Sequence, residues 1–237
     1  MVGLKTYTAV CWKHLRTAHN QDINVSEWKT DRQHKTKRIT LAITGASGVQ
    51  YGFRLLECLV ASDVQVFCLI SKAARVVSDV ETDLKLPESD PELEALLTDY
   101  ARAEPGQVKV FGDEQWMSPV ASGSGAPSQM VVCPCSAGSL SAIATGASNN
   151  LIERAADVIL KERGKLILVP REAPYSEIHL EHMLKLTRMG AVVIPASPGF
   201  YNKPESVEDM VDFVVARILS QLGFEQELMP NWGHQLL

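Results

Sequence analysis

From residue 38 onward, short runs rich in β-branched residues alternate with helix-forming stretches, and the joints between them are turns of glycine, serine and alanine. Residues 38–44 (RITLAIT) lead into Thr44-Gly45-Ala46-Ser47-Gly48. A helical stretch from about 48 to 61 follows, with Tyr51, Leu55 and Leu59 spaced to share one face. Residues 64–70 (VQVFCLI) read as a second strand, and a short helix continues to about Val77. Strand, tight turn, helix, strand is a βαβ unit. Strands joined in this way are parallel, with right-handed crossovers.

The stretch 79–129 is less regular. Asp90 and Pro91 read as N-cap and first position of a helix running to about Arg102. Residues 108–111 form a minor strand, and the small, polar residues 121–127 a loop. The alternation then resumes, with strands at 130–133, 165–169 and 191–195 and helices at 137–145, 151–161, 178–188 and 207–222. Ser206 and Asp209 resemble a capping box at the start of the last helix. There is no internal repeat and no linker after residue 38. The expected fold class is α/β, a doubly wound parallel sheet. Residues 38–237 form one domain, and residues 1–37 are an N-terminal extension expected to be poorly ordered.

Charge and cysteine content narrow the function classes. Residues 1–38 carry eight Lys/Arg against three Asp/Glu, while the rest carries fifteen against twenty-five. An acidic body argues against nucleic acid as the partner, since phosphate backbones demand a basic face. No run approaches the roughly 18 to 20 apolar residues of a membrane span, and no secretory signal follows Met1, so a cytoplasmic protein is expected. Five cysteines in such a chain read as reduced thiols. Cys133 and Cys135 fit the end of a buried strand better than a metal or redox pair. His179 and His182 lie i,i+3 on a helix but lack a third ligand, so they read as a surface pair, and no metal site is expected.

In a doubly wound sheet, ligands gather beyond the carboxyl ends of the strands. Three turns there have suitable chemistry. Gly45, Ala46 and Ser47 precede a helix whose first N–H groups are free to meet an anion. Ser71 follows the second strand. Ser136, Ala137, Gly138 and Ser139 open another helix. A dinucleotide is disfavoured, because the glycine spacing is wrong and strand two ends at Ser71-Lys72, with no acid for a ribose. None of the five tyrosines has a lysine four residues on, as a short-chain dehydrogenase requires. A mononucleotide fits better, although any one of these hydroxyls taken alone is equally an ordinary helix cap.

Beyond these turns, the blocks TGASGVQYG, LISKAA followed by ETD, PCSAGSLSAIATG, NNLIERAADVILKE, LVPREAPYS and PGFYNKP occur in this order. Together they resemble the UbiX flavin prenyltransferases from about residue 38 to Gly233. The resemblance implies a flavodoxin-like Rossmann three-layer sandwich and a homododecamer with shared sites. It implies FMN held by Gly45, Ala46, Ser47, Ser71, the turn of Ser136, Ala137, Gly138 and Ser139, and Arg171. It implies a dimethylallyl phosphate held by Lys161, Tyr201 and Arg217, with Arg154 nearby. Glu81 and Glu172 match acid/base positions, Ser47 a catalytic position, and Trp116 the prenyl pocket. The product would serve a UbiD-type decarboxylase, in ubiquinone synthesis or in aromatic degradation.

The residue types suit that chemistry. Breaking an allylic C–O bond leaves positive charge on carbon and negative charge on phosphate. Cations such as Lys161, Arg154 and Arg217 stabilise the latter, and an aromatic face such as Trp116 the former. A carboxylate beside a cation, as Glu172 is beside Arg171, suits proton transfer to and from carbon. The DDxxD motif of magnesium-diphosphate prenyltransferases is absent, which is compatible with a metal-independent monophosphate donor. Read alone, the three helical cations are solvated surface, Glu81 is a loop acid and Tyr201 a packing residue. A cysteine decarboxylase of the same superfamily is disfavoured, because its PxMNxxMW-like block is missing.

Overall fold

The computed structural model describes residues 37–230. The expectation for residues 1–37 therefore lies, Lys37 apart, outside the described residues. In chain order the strands are β1 (Arg38–Ile43), β2 (Gln65–Ile70), β3 (Val108–Val110), β4 (Gln129–Cys135), β5 (Lys165–Pro170) and β6 (Val192–Val193). The helices are α1 (Val49–Ala61), α2 (Lys72–Glu81), α3 (Asp90–Tyr100), α4 (Ala137–Thr145), α5 (Leu151–Lys161), α6 (Glu177–Arg188) and α7 (Val207–Leu222). All pairings are parallel, in the order β3-β2-β1-β4-β5-β6. Setting aside the short edge strand β3, the remaining five follow the flavodoxin order, and the chain reverses direction across the sheet between β1 and β4.

Period-two alternation sorts each strand between two cores. Ile39, Leu41 and Ile43 of β1, with Val66, Val131 and Ile167, pack on the side of α1, α3 and α7. Ala42, Leu69, Met130, Val132 and Leu168 point the other way, onto α4 and α5. The three-layer sandwich follows directly from this sorting. Where α1 crosses the sheet, Gly52 lies so close that a Cβ there would sit 2.4 Å from the Cys133 carbonyl oxygen. Among the described residues, no helix is long and apolar enough to cross a membrane.

Several element bounds differ from the sequence reading, each for a local reason. Helix α2 runs to Glu81 rather than Val77, because Ser78, polar in sequence, is buried and bonds the Leu84 carbonyl and the Thr82 hydroxyl. Glu81 is therefore the last residue of a helix and not a loop acid. Ser89, not Asp90, caps α3, its hydroxyl accepting from the Glu92 amide at 3.3 Å. Strand β4 continues through Pro134 to Cys135, with a register irregularity after Val132. Strand β6 is only two residues long. The Ser206–Asp209 capping box is present as expected.

Candidate functional site

The ends of β1 and β4 are fastened together by Thr44. Its buried hydroxyl donates to the Pro134 carbonyl at 2.9 Å and accepts from the Ser136 amide at 2.8 Å. This staple brings the turn before α1 beside the N-terminus of α4. Two helix N-termini therefore converge where the chain reverses direction across the sheet. Gly45 admits no side chain, since a Cβ would lie 2.4 Å from that of Ala73 in the first turn of α2. Gly48 adopts φ 97°, a left-handed conformation suited to glycine, and its amide donates to Glu81 Oε2 at 2.8 Å. Glu81, at the end of α2, thus closes over the start of α1.

A cleft of about 590 Å³ opens above these turns. Gly45, Ala46 and Ser47 form one wall and Ser136, Ala137 and Gly138 another, with Glu81, Arg171 and Glu172 at the rim. The third wall is Val76, Val77 and Val80 of α2. Val80 is 82% exposed, so this apolar strip faces open space. The valines escape sequence reasoning because an i, i+1, i+4 aliphatic set on a helix reads as core. Arg171 Nε is buried without a hydrogen-bond partner among the described residues. A buried guanidinium nitrogen left unpaired beside two helix N-termini fits a phosphate ester. The residues present therefore fit a flavin mononucleotide.

Seven of the expected residues, Ser71, Trp116, Ser139, Arg154, Lys161, Tyr201 and Arg217, do not line this cleft. Ser71 and Ser136 hydroxyls accept from their own helix amides, Ala74 at 3.1 Å and Ser139 at 3.2 Å, so both serve as helix caps. Ser139 Oγ accepts from Ser136 Oγ at 3.0 Å, one turn into α4. Trp116 sits in the loop after β3, 45% exposed. Arg154 donates to the Ala121 carbonyl and to Asp157. Tyr201 packs edge-on against Phe213, and Arg217 is exposed on α7. Lys161 ends α5, pairs with Glu162 and precedes β5 by four residues. Glu172 follows the other end of β5. A six-residue strand spans about 20 Å, so Lys161 lies roughly that far from the cleft of its own chain.

Other groups are accounted for. Burial pushes the Cys133 thiol well up and that of Cys135 up to about 12, so both remain protonated packing residues. His179 completes a capping box on α6, its Nδ1 accepting from the Ser176 amide at 3.2 Å. It thus has a structural role beyond that of a surface residue. Among the described residues no cluster of three metal-ligating side chains occurs. A second hollow of about 700 Å³, between α1, α3 and α7, is lined by Phe53, Tyr100 and Val211. Its one cation, Arg54, is already paired with Asp212 and Glu57 at 2.7 and 2.9 Å. Although larger, this hollow offers an anionic ligand nothing unpaired, and the chemistry belongs to the cleft at the strand ends.

A family model described as Flavoprotein matches residues 27–219. The flavin prenyltransferase UbiX of Pseudomonas aeruginosa is 63% identical over 201 residues, covering 85% of this chain and 96% of that protein. A crystal structure of AnUbiX in complex with FMN and dimethylallyl pyrophosphate superposes with a TM-score of 0.75 at 38% identity, covering 84% and 98% of the two chains. A dodecameric FMN-dependent UbiX-like decarboxylase from Escherichia coli gives 0.72 at 39% identity, covering 82% and 98%.

Proposed function

Because this chain belongs to the flavoprotein family, among its UbiX flavin prenyltransferases, we propose that it transfers a dimethylallyl group from dimethylallyl monophosphate to N5 and C6 of reduced FMN. The observation that carries the flavin half of this reading is the unpaired, buried Arg171 Nε beside two converging helix N-termini. The FMN phosphate is the anion suited to that corner. Ser47 and Glu81 then lie along the cleft where the ring system extends, and the α2 valines provide it with an apolar wall.

For the donor, the C1–O bond breaks as the C1–N5 bond forms; the phosphate leaves with the electron pair, and N5 gives up its proton to the departing phosphate. Lys161, Arg154, Arg217 and the Tyr201 hydroxyl hold that phosphate, and the Trp116 face stabilises the allyl carbon. Ring closure then joins the prenyl C3 to C6. One alkene carbon gains a proton and C6 loses one, and Glu172 serves as carrier. Lys161 is about a strand length from its own cleft, so it acts in the site of a neighbouring copy. The enzyme is accordingly a homo-oligomer, a dodecamer like its Escherichia coli relative. The product is the cofactor of a UbiD-type decarboxylase, which the purified product should activate.

Calorimetry tests the flavin half. The protein should bind FMN in preference to FAD or NAD, since no acidic ribose ligand follows β2. Arg171→Ala should weaken FMN roughly ten- to hundredfold, the loss expected for charge-assisted hydrogen bonds. Tight NAD binding, or FMN affinity unchanged in Arg171→Ala, would overturn the placement.

A further inference from the structure

Val76, Val77, Val80 and Glu81 line the cleft, whereas Arg75 reaches sideways to the start of α3. Arg75 donates to the Pro87 carbonyl, and its other terminal nitrogen lies 3.9 Å from Asp90 Oδ1. The two side chains are 14% and 28% exposed, so water competes for them less than for a surface pair. Asp90 opens α3 but does not cap it. Ser89 takes that role, which leaves the Asp90 carboxylate available for other donors. The remaining oxygen, Oδ2, accepts from the Gln115 amide nitrogen at 3.2 Å.

Gln115 immediately precedes Trp116. The loop carrying both comes so close to α3 that a Cβ on Gly112 would sit 2.4 Å from Asp90 Oδ2. The same loop is held at its start by the Phe111 amide on the Cys68 carbonyl, 3.1 Å. It is held again at Asp113, whose carbonyl accepts from the Leu151 amide at 2.9 Å. The Asp113 carboxyl is pushed up, chiefly by burial, and Lys72 and Arg75 oppose the shift. One carboxylate, Asp90, therefore links the helix that walls the cleft to the loop that presents Trp116.

We infer that Arg75, Asp90 and Gln115 form a positioning network that fixes Trp116 relative to the α2 wall and so sets the fit of the prenyl donor. This rests on the reading of Trp116 as a wall of the donor pocket. None of the three residues is assigned contact with a substrate. Their effect passes through the loop.

The test is steady-state kinetics of the full-length assembled enzyme with dimethylallyl phosphate, alongside FMN calorimetry. Gln115→Ala should raise the donor KM about fivefold, the scale of one typical solvent-accessible hydrogen bond, with kcat and FMN affinity held within about twofold. Gly112→Ala, which pushes the Asp90 carboxylate away while keeping it, should act in the same direction. Gln115→Lys, which keeps a donor for Asp90, should restore the donor KM. Trp116→Ala is the reference and should raise the donor KM at least as much. An unchanged donor KM in both Gln115→Ala and Gly112→Ala, or an equal loss of FMN affinity, overturns the network. An unchanged donor KM in Trp116→Ala overturns the assignment of Trp116, and the network's proposed purpose with it.

Discussion

Glu172→Gln should slow ring closure by about 10²–10⁴-fold, the usual contribution of a general acid–base group, while FMN still binds. The substitution keeps size and hydrogen-bonding capacity but removes the ability to cycle a proton. Glu172 lies at the cleft rim two residues beyond β5, one of its oxygens accepting from the Ala173 amide at 3.1 Å. The first bond, C1 to N5, releases the N5 proton to the departing phosphate and does not use Glu172, so flavin joined at N5 but not closed should accumulate. Stopped-flow spectroscopy with mass analysis of quenched samples resolves the two stages. A wild-type closure rate in Glu172→Gln would remove the carboxylate from that role and leave the fold and flavin site untouched.

A second large effect follows from the opposite placement of Lys161 and Glu172 at the two ends of β5. Lys161→Ala alone should abolish phosphate departure, and Glu172→Gln alone should stall closure. Co-assembled in equal amounts, the two inactive chains should recover about a quarter of wild-type turnover, because sites form that take an intact Glu172 from one copy and an intact Lys161 from another. If both residues served the same chain's site, every site in the mixture would lack one of them. No recovery, with mixed assembly verified by differential tagging, would therefore refute donor binding across copies. Recovery would also explain why the cleft of a single chain lacks the donor's cations.

What the sequence disclosed depended on how local the signal was. The strands at 38–44 and 165–169 and the turn at Gly45 announce themselves, because β-branched runs and small-residue turns act over a few positions. The true end of α2 was hidden, since Ser78 and Asp79 look like a break until burial pairs the Ser78 hydroxyl with the Leu84 carbonyl. Likewise Pro134 masked the last residues of β4. The cleft's polar half was legible from Ser47, Ser136 and Arg171. Its apolar half was not, because Val76 and Val80 look like any buried helical face until the fold leaves them open. The tie between Asp90 and Gln115 spans 25 positions and leaves no trace in periodicity. Lys161, Tyr201 and Arg217 were pointed to by the family resemblance and not by their local pattern, and the strand expected just after the helix ending at Lys161 already sets that lysine at the end of the sheet away from the cleft.

The central claim is that this protein prenylates a flavin, and the mass of the flavin reports on it most directly. Enzyme incubated without oxygen with reduced FMN and dimethylallyl phosphate should yield bound flavin heavier by one five-carbon prenyl unit, and omission of either substrate should yield none. Flavin recovered at its original mass from active-site-saturating incubations would contradict the account.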